Sequence, residues 1–270
     1  LAKRLPVRLS PKRSSRSVVI TQPTPQQVLL LAGCVQQAAT PNVNLAVEQL
    51  LAVSGVEVVR VAKESCCGAL NYHLGAHAAG LADMRRLLHT LDAAGPDAAP
   101  IVSSASGCGV TLKDYPSHFP VGDPDHELAH RIAARMVDVV ELFDDHTIKA
   151  APMRVAVHTP CTLSSGQQLV TNVADVLTRA GIDVVALGPH LACCGSAGTY
   201  SVLQPKLARA LQAKMVTALT THSPEVIVTA NIGCQMHLGA GTDVPVLHWA
   251  ELLWQQHEAL LAAPDLVPDR

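Results

Sequence analysis

Long apolar runs are missing from this 270-residue chain. None reaches the ~18–20 residues that a membrane-spanning helix needs, and no apolar stretch near the start has the form of a secretion signal. A cytoplasmic location, at most peripheral at the inner face of the cell membrane, is therefore expected. Aromatics are scarce, with two Trp, three Tyr and two Phe, so the core must be built mostly from Ala, Val and Leu. With 49% apolar and 16% charged residues it still has ample material, and the length suits two units of ordinary size. Acidic residues are absent from positions 1–16, which carry Lys3, Arg4, Arg8, Lys12, Arg13 and Arg16. Pro6 and Pro11 break any helix there, and the remaining chain is acidic on balance. The stretch 1–26 thus reads as a solvated basic linker rather than an arm for anionic lipid, and no nucleic acid is expected as a partner. Leu1 in place of an initiator Met is what the back end of a longer polypeptide would show. Cys-x-x-Cys is also absent, which removes the paired knuckles usual in structural zinc sites.

What the chain does have is an internal repeat of cysteines. Cys34, Cys66, Cys67 and Cys108 are followed by Cys161, Cys193, Cys194 and Cys234. In each set 31 residues separate the first cysteine from the Cys-Cys pair, and 40 or 39 separate the pair from the last. The flanks repeat too: Gly55-Val-Glu-Val-Val59 with Gly181-Ile-Asp-Val-Val185, Cys66-Cys-Gly68 with Cys193-Cys-Gly195, Gly107-Cys108 with Gly233-Cys234, and Glu141-Leu142 with Glu251-Leu252. Such duplication implies two copies of one supersecondary unit, with boundaries at 27–150 and 151–270.

The hydrophobic pattern places these cysteines. In the first copy it predicts strands at 28–31, 56–61 and 99–102, and helices near 43–53, 75–93 and 127–143. In the second it predicts strands at 154–157, 184–187, 226–229 and 244–247, and helices at 171–179, 203–219 and 249–261. Alternating strands and helices imply an α/β fold of two duplicated βαβ-type units with parallel sheets. Every cysteine then follows a strand, so the loops at the strand carboxyl ends would bring four thiols together in each copy. Gly33, Gly68, Gly107, Gly109, Gly195 and Gly233 stand beside them, where glycine lets backbone approach a bulky group and offer its amide to sulfur. Disulfides would need an oxidising compartment, and adjacent cysteines rarely bridge each other. Four thiolates would satisfy zinc, giving a zinc-stabilised interaction module as one reading. A cubane cluster suits the count of four best.

Weaker candidates surround them. His73, His158, His190, His237 and His248 lie near the cysteine loops, either as proton-coupling groups, alternative cluster ligands or part of a quinone pocket, or as hydrogen-bonded loop histidines. Thr199 and Tyr200 open a helix, to cap it or pack on a cluster. Met84, Leu87, Leu88, Leu207, Leu211 and Met215 are expected in the core.

The local motifs go further. Glu64-Ser-Cys-Cys-Gly-Ala-Leu-Asn-Tyr-His73, Ala105-Ser-Gly-Cys-Gly109, Leu191-Ala-Cys-Cys-Gly-Ser-Ala-Gly-Thr-Tyr200 and Val228-Thr-Ala-Asn-Ile-Gly-Cys-Gln-Met-His237 resemble the cysteine-rich CCG domain pair, and within it the iron–sulfur subunits of bacterial glycolate oxidases. The resemblance runs from about residue 27 to the C-terminus. It implies an oxidoreductase subunit for electron transport that ligates [4Fe–4S] clusters, one per repeat, through all eight cysteines and contains no catalytic residue of its own. A partner subunit carrying FAD would oxidise glycolate to glyoxylate, and electrons would pass on to a quinone or other acceptor. Another 2-hydroxy acid such as lactate, or a heterodisulfide-reductase-like role, is the alternative. The widest form of the pattern ends in Cys-x-x-Cys; here Ala105 and Asn231 take the extra position, which points away from five-thiolate clusters and toward a cubane. An upstream ferredoxin-like domain is usual in this group, yet no cysteine precedes Cys34.

Overall fold

A computed structural model of the chain describes residues 26–95, 98–143, 148–185 and 193–263. The basic stretch 1–25 and His190 lie outside them. Among the described residues, two four-stranded sheets account for the eight strands. β1 (Gln27–Leu31), β2 (Glu57–Arg60), β3 (Ile101–Ser103) and β4 (Met136–Asp138) form the first, in the order β2-β1-β3-β4. β5 (Arg154–His158), β6 (Asp183–Val185), β7 (Val226–Thr229) and β8 (Val246–His248) form the second, in the order β6-β5-β7-β8. All strand pairs are parallel, and the registers match: Leu29 opposes Ile101 in one sheet, Ala156 opposes Ile227 in the other. The order places the central strands β1 and β3, and β5 and β7, at a switch point, where loops diverge and leave a crevice.

Successive side chains of a strand point to opposite faces, and here both faces are buried. Val28 and Leu30 of β1 join one apolar cluster, Leu29 and Leu31 another. The first cluster also takes Val155 and Val157 of β5, Val226 and Val228 of β7, and Trp249, Leu252 and Leu253 of the last helix. One shared core therefore welds the two sheets, with helix Trp249–Ala262 packed on helix Pro41–Val53. The outer faces have separate cores. One is built on Met84, Leu87, Leu88, Tyr115 and Phe119, the other on Met215, Leu219, Ile227 and Leu238.

Most expected elements are present. The exception is the helix over 127–143: it stops at Arg135, a strand β4 follows, and Val139–Leu142 forms a 3-10 turn. Met136 and Val137 pair with Ile101 and Val102 of β3, which helical periodicity alone does not reveal. Asp138 accepts from Val140 N while Glu141 accepts from Asp138 N, a reciprocal cap that starts the turn directly after the strand. The helix at 203–219 is two pieces, Tyr200–Leu203 and Pro205–Thr220, because Pro205 can only begin a helix. Of the predicted strand 184–187, residues 186 and 187 lie outside the described residues.

Candidate metal centres

The carboxyl ends of the strands gather the thiols. Cys34 opens the short helix after β1, Cys66 and Cys67 lie in the loop after β2, and Cys108 sits in the first turn of helix Ser106–Lys113 after β3. Cys34 Sγ lies 3.5 Å from Cys66 Sγ, and the Cys67 thiol lies close enough to Cys66 and Cys108 to interact with both. In the second half Cys161 opens a turn after β5, the pair Cys193-Cys194 follows β6, and Cys234 lies in helix Ile232–Gly239 after β7. Cys194 Sγ and Cys234 Sγ are 3.0 Å apart, and the Cys193 thiol lies close enough to Cys161 to interact with it. All eight cysteines are free. Cys34 and Cys161 face solvent, whereas Cys67, Cys194 and Cys234 are buried.

Two features hold each Cys-Cys pair. The amide of the following glycine donates to the first sulfur, Gly68 N to Cys66 Sγ at 3.5 Å and Gly195 N to Cys193 Sγ at 3.4 Å. Both glycines have positive φ, and a Cβ on either would come within 2.5 Å of a helix carbonyl, Gly80 O or Ala208 O. Only glycine lets this turn sit against its helix. Tyr115 OH donates to Cys67 O at 2.9 Å, fixing the first loop from below.

The electrostatics of each quartet ask for a cation. The Cys66 thiol is held far below its ordinary range by its interactions with Cys34 and Cys67, while Cys34 is pushed up by Cys66 and by burial, and Cys67 by Cys108, Cys66 and burial. In the second half Cys194 is lowered to about 7 by the bond from Cys234, which is itself driven up. Neighbouring thiols thus share protons, and several thiolates in one pocket repel one another until positive charge joins them. This donor set fits an iron–sulfur cluster: four thiols per half, a glycine cradle and an amide N–H aimed at sulfur.

The two sets are neighbours. Ser106, two residues before Cys108, bonds Thr162, the residue after Cys161, at 2.8 Å between hydroxyl oxygens. Ser106 N donates to Ala230 O at 3.1 Å, and Gln167 Nε2 reaches both Ser106 O and Asp138 Oδ2 at 3.3 Å. The positions of a fifth cysteine are taken by helix caps. Asn231 Oδ1 accepts from Gly233 N at 2.9 Å, and its Nδ2 donates to Ser106 Oγ at 3.3 Å. Ala105 occupies the other, buried, at the start of the Cys108 helix.

The histidines divide. His158, the last residue of β5, is buried, and one of its ring nitrogens lies within 4.8 Å of both Cys194 Sγ and Cys234 Sγ. Burial lowers it to about 4. His248 is structural: its Nε2 donates to Ser104 O across the two halves at 2.8 Å, and its Nδ1 accepts from Ala250 N. His237 is in contact with Ala208 O, and His73 stacks edge-on to Tyr72. Thr199 makes no side-chain cap bond, and Leu207 is exposed rather than in the core. Glu64 opens the first cysteine motif, and nothing in that motif marks its role. Its carboxylate accepts from Ala32 N and Gly33 N at 2.7 and 2.8 Å and so anchors the loop that carries Cys34. Its only sequence signal is an acid two residues before the first Cys-Cys pair, where the second repeat has Leu191.

The cysteine-rich domain (CCG) family matches residues 28–113 and 155–239, one copy on each sheet. The chain belongs to the cysteine-rich CCG domain family. It is 38% identical over 241 residues to the glycolate oxidase iron–sulfur subunit of Escherichia coli (strain K12), covering 86% of this chain and 58% of that protein. It is 28% identical over 240 residues to lactate utilization protein A of Exiguobacterium sp., covering 84% of this chain and 96% of that protein. A further relative, 28% identical over 247 residues, is the probable glycolate oxidase iron–sulfur subunit of Bacillus subtilis (strain 168), with 86% of this chain and 55% of that protein covered. The chain thus spans little more than half the length of these two glycolate oxidase relatives. Among the described residues no helix is long and apolar enough to cross a membrane.

Proposed function

We propose that this chain is the iron–sulfur electron-transfer part of a glycolate-oxidising complex, holding one [4Fe–4S] cluster in each of its two repeats, 27–150 and 151–270. The carrying observation is the pair of thiol quartets, each at the carboxyl edge of its own parallel sheet and joined through Ser106 and Thr162. The likeness to the E. coli glycolate oxidase protein supports the choice of complex. Cys34, Cys66, Cys67 and Cys108 would ligate the first cluster, and Cys161, Cys193, Cys194 and Cys234 the second. The clusters would supply reversible one-electron storage. The protein's part is to hold the thiolates, donate Gly68 N–H and Gly195 N–H to sulfur, and exclude water from the buried side of each site. A flavin subunit would deliver the electrons, and a quinone or other acceptor at the inner membrane face would take them.

A second reading has its own observation: the chain is also 28% identical over 240 residues to lactate utilization protein A of Exiguobacterium sp.. Lactate would then be the substrate of the complex. Anaerobic reconstitution with iron and sulfide, followed by paramagnetic resonance after dithionite, tests the cluster. Cys67→Ser and Cys194→Ser should each remove iron from its own half only. Zinc with no resonance signal would establish the zinc-stabilised module instead. Glycolate and D-lactate assays of the chain with its co-purified flavin subunit decide the substrate.

A further inference from the structure

The two centres are not chemical copies. The matched registers align β1 with β5 and β3 with β7, so His158 stands where the first half has Leu31, and Thr229 where it has Ser103. Leu31 packs into an apolar cluster with Cys67. Ser103 turns its hydroxyl onto its own loop, donating to Ala105 O at 3.1 Å and accepting from Ala105 N at 3.2 Å. In the second half Thr229 Oγ1 lies 2.9 Å from Nδ1 of His158, and both residues are buried.

This pair determines which nitrogen carries the proton. Thr229 is 0% exposed, and its hydroxyl has one hydrogen-bond partner among the described residues, Nδ1 of His158. A buried hydroxyl proton left without an acceptor is costly, because the group has given up its water. Thr229 therefore donates to Nδ1. A ring nitrogen that accepts a hydrogen bond carries no proton, so the imidazole bears its single proton on Nε2. Nε2 is then the ring atom that can donate toward Cys194 and Cys234, to whose sulfurs one ring nitrogen comes within 4.8 Å.

We propose that His158 directs its Nε2–H at the thiolates of Cys194 and Cys234 and thereby holds the second centre at a higher reduction potential than the first. An N–H dipole in a buried site stabilises the added negative charge of the reduced form, and hydrogen bonds to sulfur are a principal means of tuning such potentials. The first centre has an aliphatic side chain in the same place. Within the pair one electron leaves the first centre and enters the second; no bond is made or broken and no proton is transferred. The proposal rests on the cluster reading above.

The test is a redox titration of the anaerobically reconstituted chain, followed by paramagnetic resonance. Cys67→Ser and Cys194→Ser assign each signal to its half. The signal lost in Cys194→Ser should have the higher midpoint. His158→Leu, which copies the first half, should lower that midpoint alone at unchanged iron content. His158→Gln retains an N–H donor and should shift it less than His158→Leu does. An unmoved midpoint in His158→Leu overturns the proposal. So does iron lost from the second half in both variants, with strong nitrogen coupling in the unmodified protein, because His158 would then be a ligand. A chain that takes up no iron at all defeats the cluster reading itself.

Discussion

Replacing Gly195 by Ala separates two costs that usually come together. Gly195 has φ +92°, and Gly55, in a surface turn, has φ +75°. Both substitutions force an L side chain into the left-handed region, at ~1–2 kcal/mol, offset by ~0.4–1 kcal/mol of lost unfolded-state freedom. Their surroundings differ. A Cβ at Gly55 meets nothing within 4 Å, whereas at Gly195 it would lie 2.5 Å from Ala208 O and 3.1 Å from both Leu211 Cβ and His237 Nε2. Ala208 O is helix backbone in contact with His237 Nε2, so it cannot move alone. Overpacking of this kind costs ~1–3 kcal/mol more. Gly55→Ala should therefore destabilise by ~0–2 kcal/mol, and Gly195→Ala by ~1–5 kcal/mol. Urea unfolding of the metal-free, reduced chain measures both, read as midpoint shifts at constant slope. The cluster-loaded protein should also lose iron from its second half in Gly195→Ala only. Equal midpoints for the two variants would refute the claim that contact with Ala208, rather than backbone conformation, makes this glycine necessary.

Two further outcomes are expected. The Asp138 carboxyl is fully buried and pushed up to about 7, chiefly by burial. The folded state therefore binds this proton more tightly than the unfolded chain: the contribution is full below ~3.9 and is lost as pH rises through about 7. Asp138→Asn should gain up to ~4 kcal/mol relative to the unmodified chain between pH 4 and pH 8, and parallel denaturation curves across that range would contradict it. Asn231→Ala removes both a helix cap and the bond to Ser106, so it should cost ~1–2 kcal/mol in thermal or urea unfolding; a loss below ~0.3 kcal/mol would show that the cap carries no weight.

The amino-acid sequence by itself determined a great deal here. The spacing of eight cysteines is a one-dimensional fact, and so is the repeat that pairs them; together with strand–helix alternation they place every thiol at a strand end. Local chemistry explains that success, since turns, glycines and short apolar runs act within a few residues of the cysteines they serve. The repeat even contained β4, because Glu141-Leu142 aligned with Glu251-Leu252 sets Met136-Val137 against the strand residues Val246-Leu247. Contacts between partners far apart in the chain were not legible in the sequence. Glu64 meets the amides of Ala32 and Gly33, His248 reaches Ser104 across the halves, and Ser106 joins Thr162. His158 is the clearest case: in the sequence it is one of five histidines near cysteine loops. Burial, the Thr229 hydroxyl from a neighbouring strand and two sulfurs from two other loops single it out, and such convergence exists only once the sheet has formed.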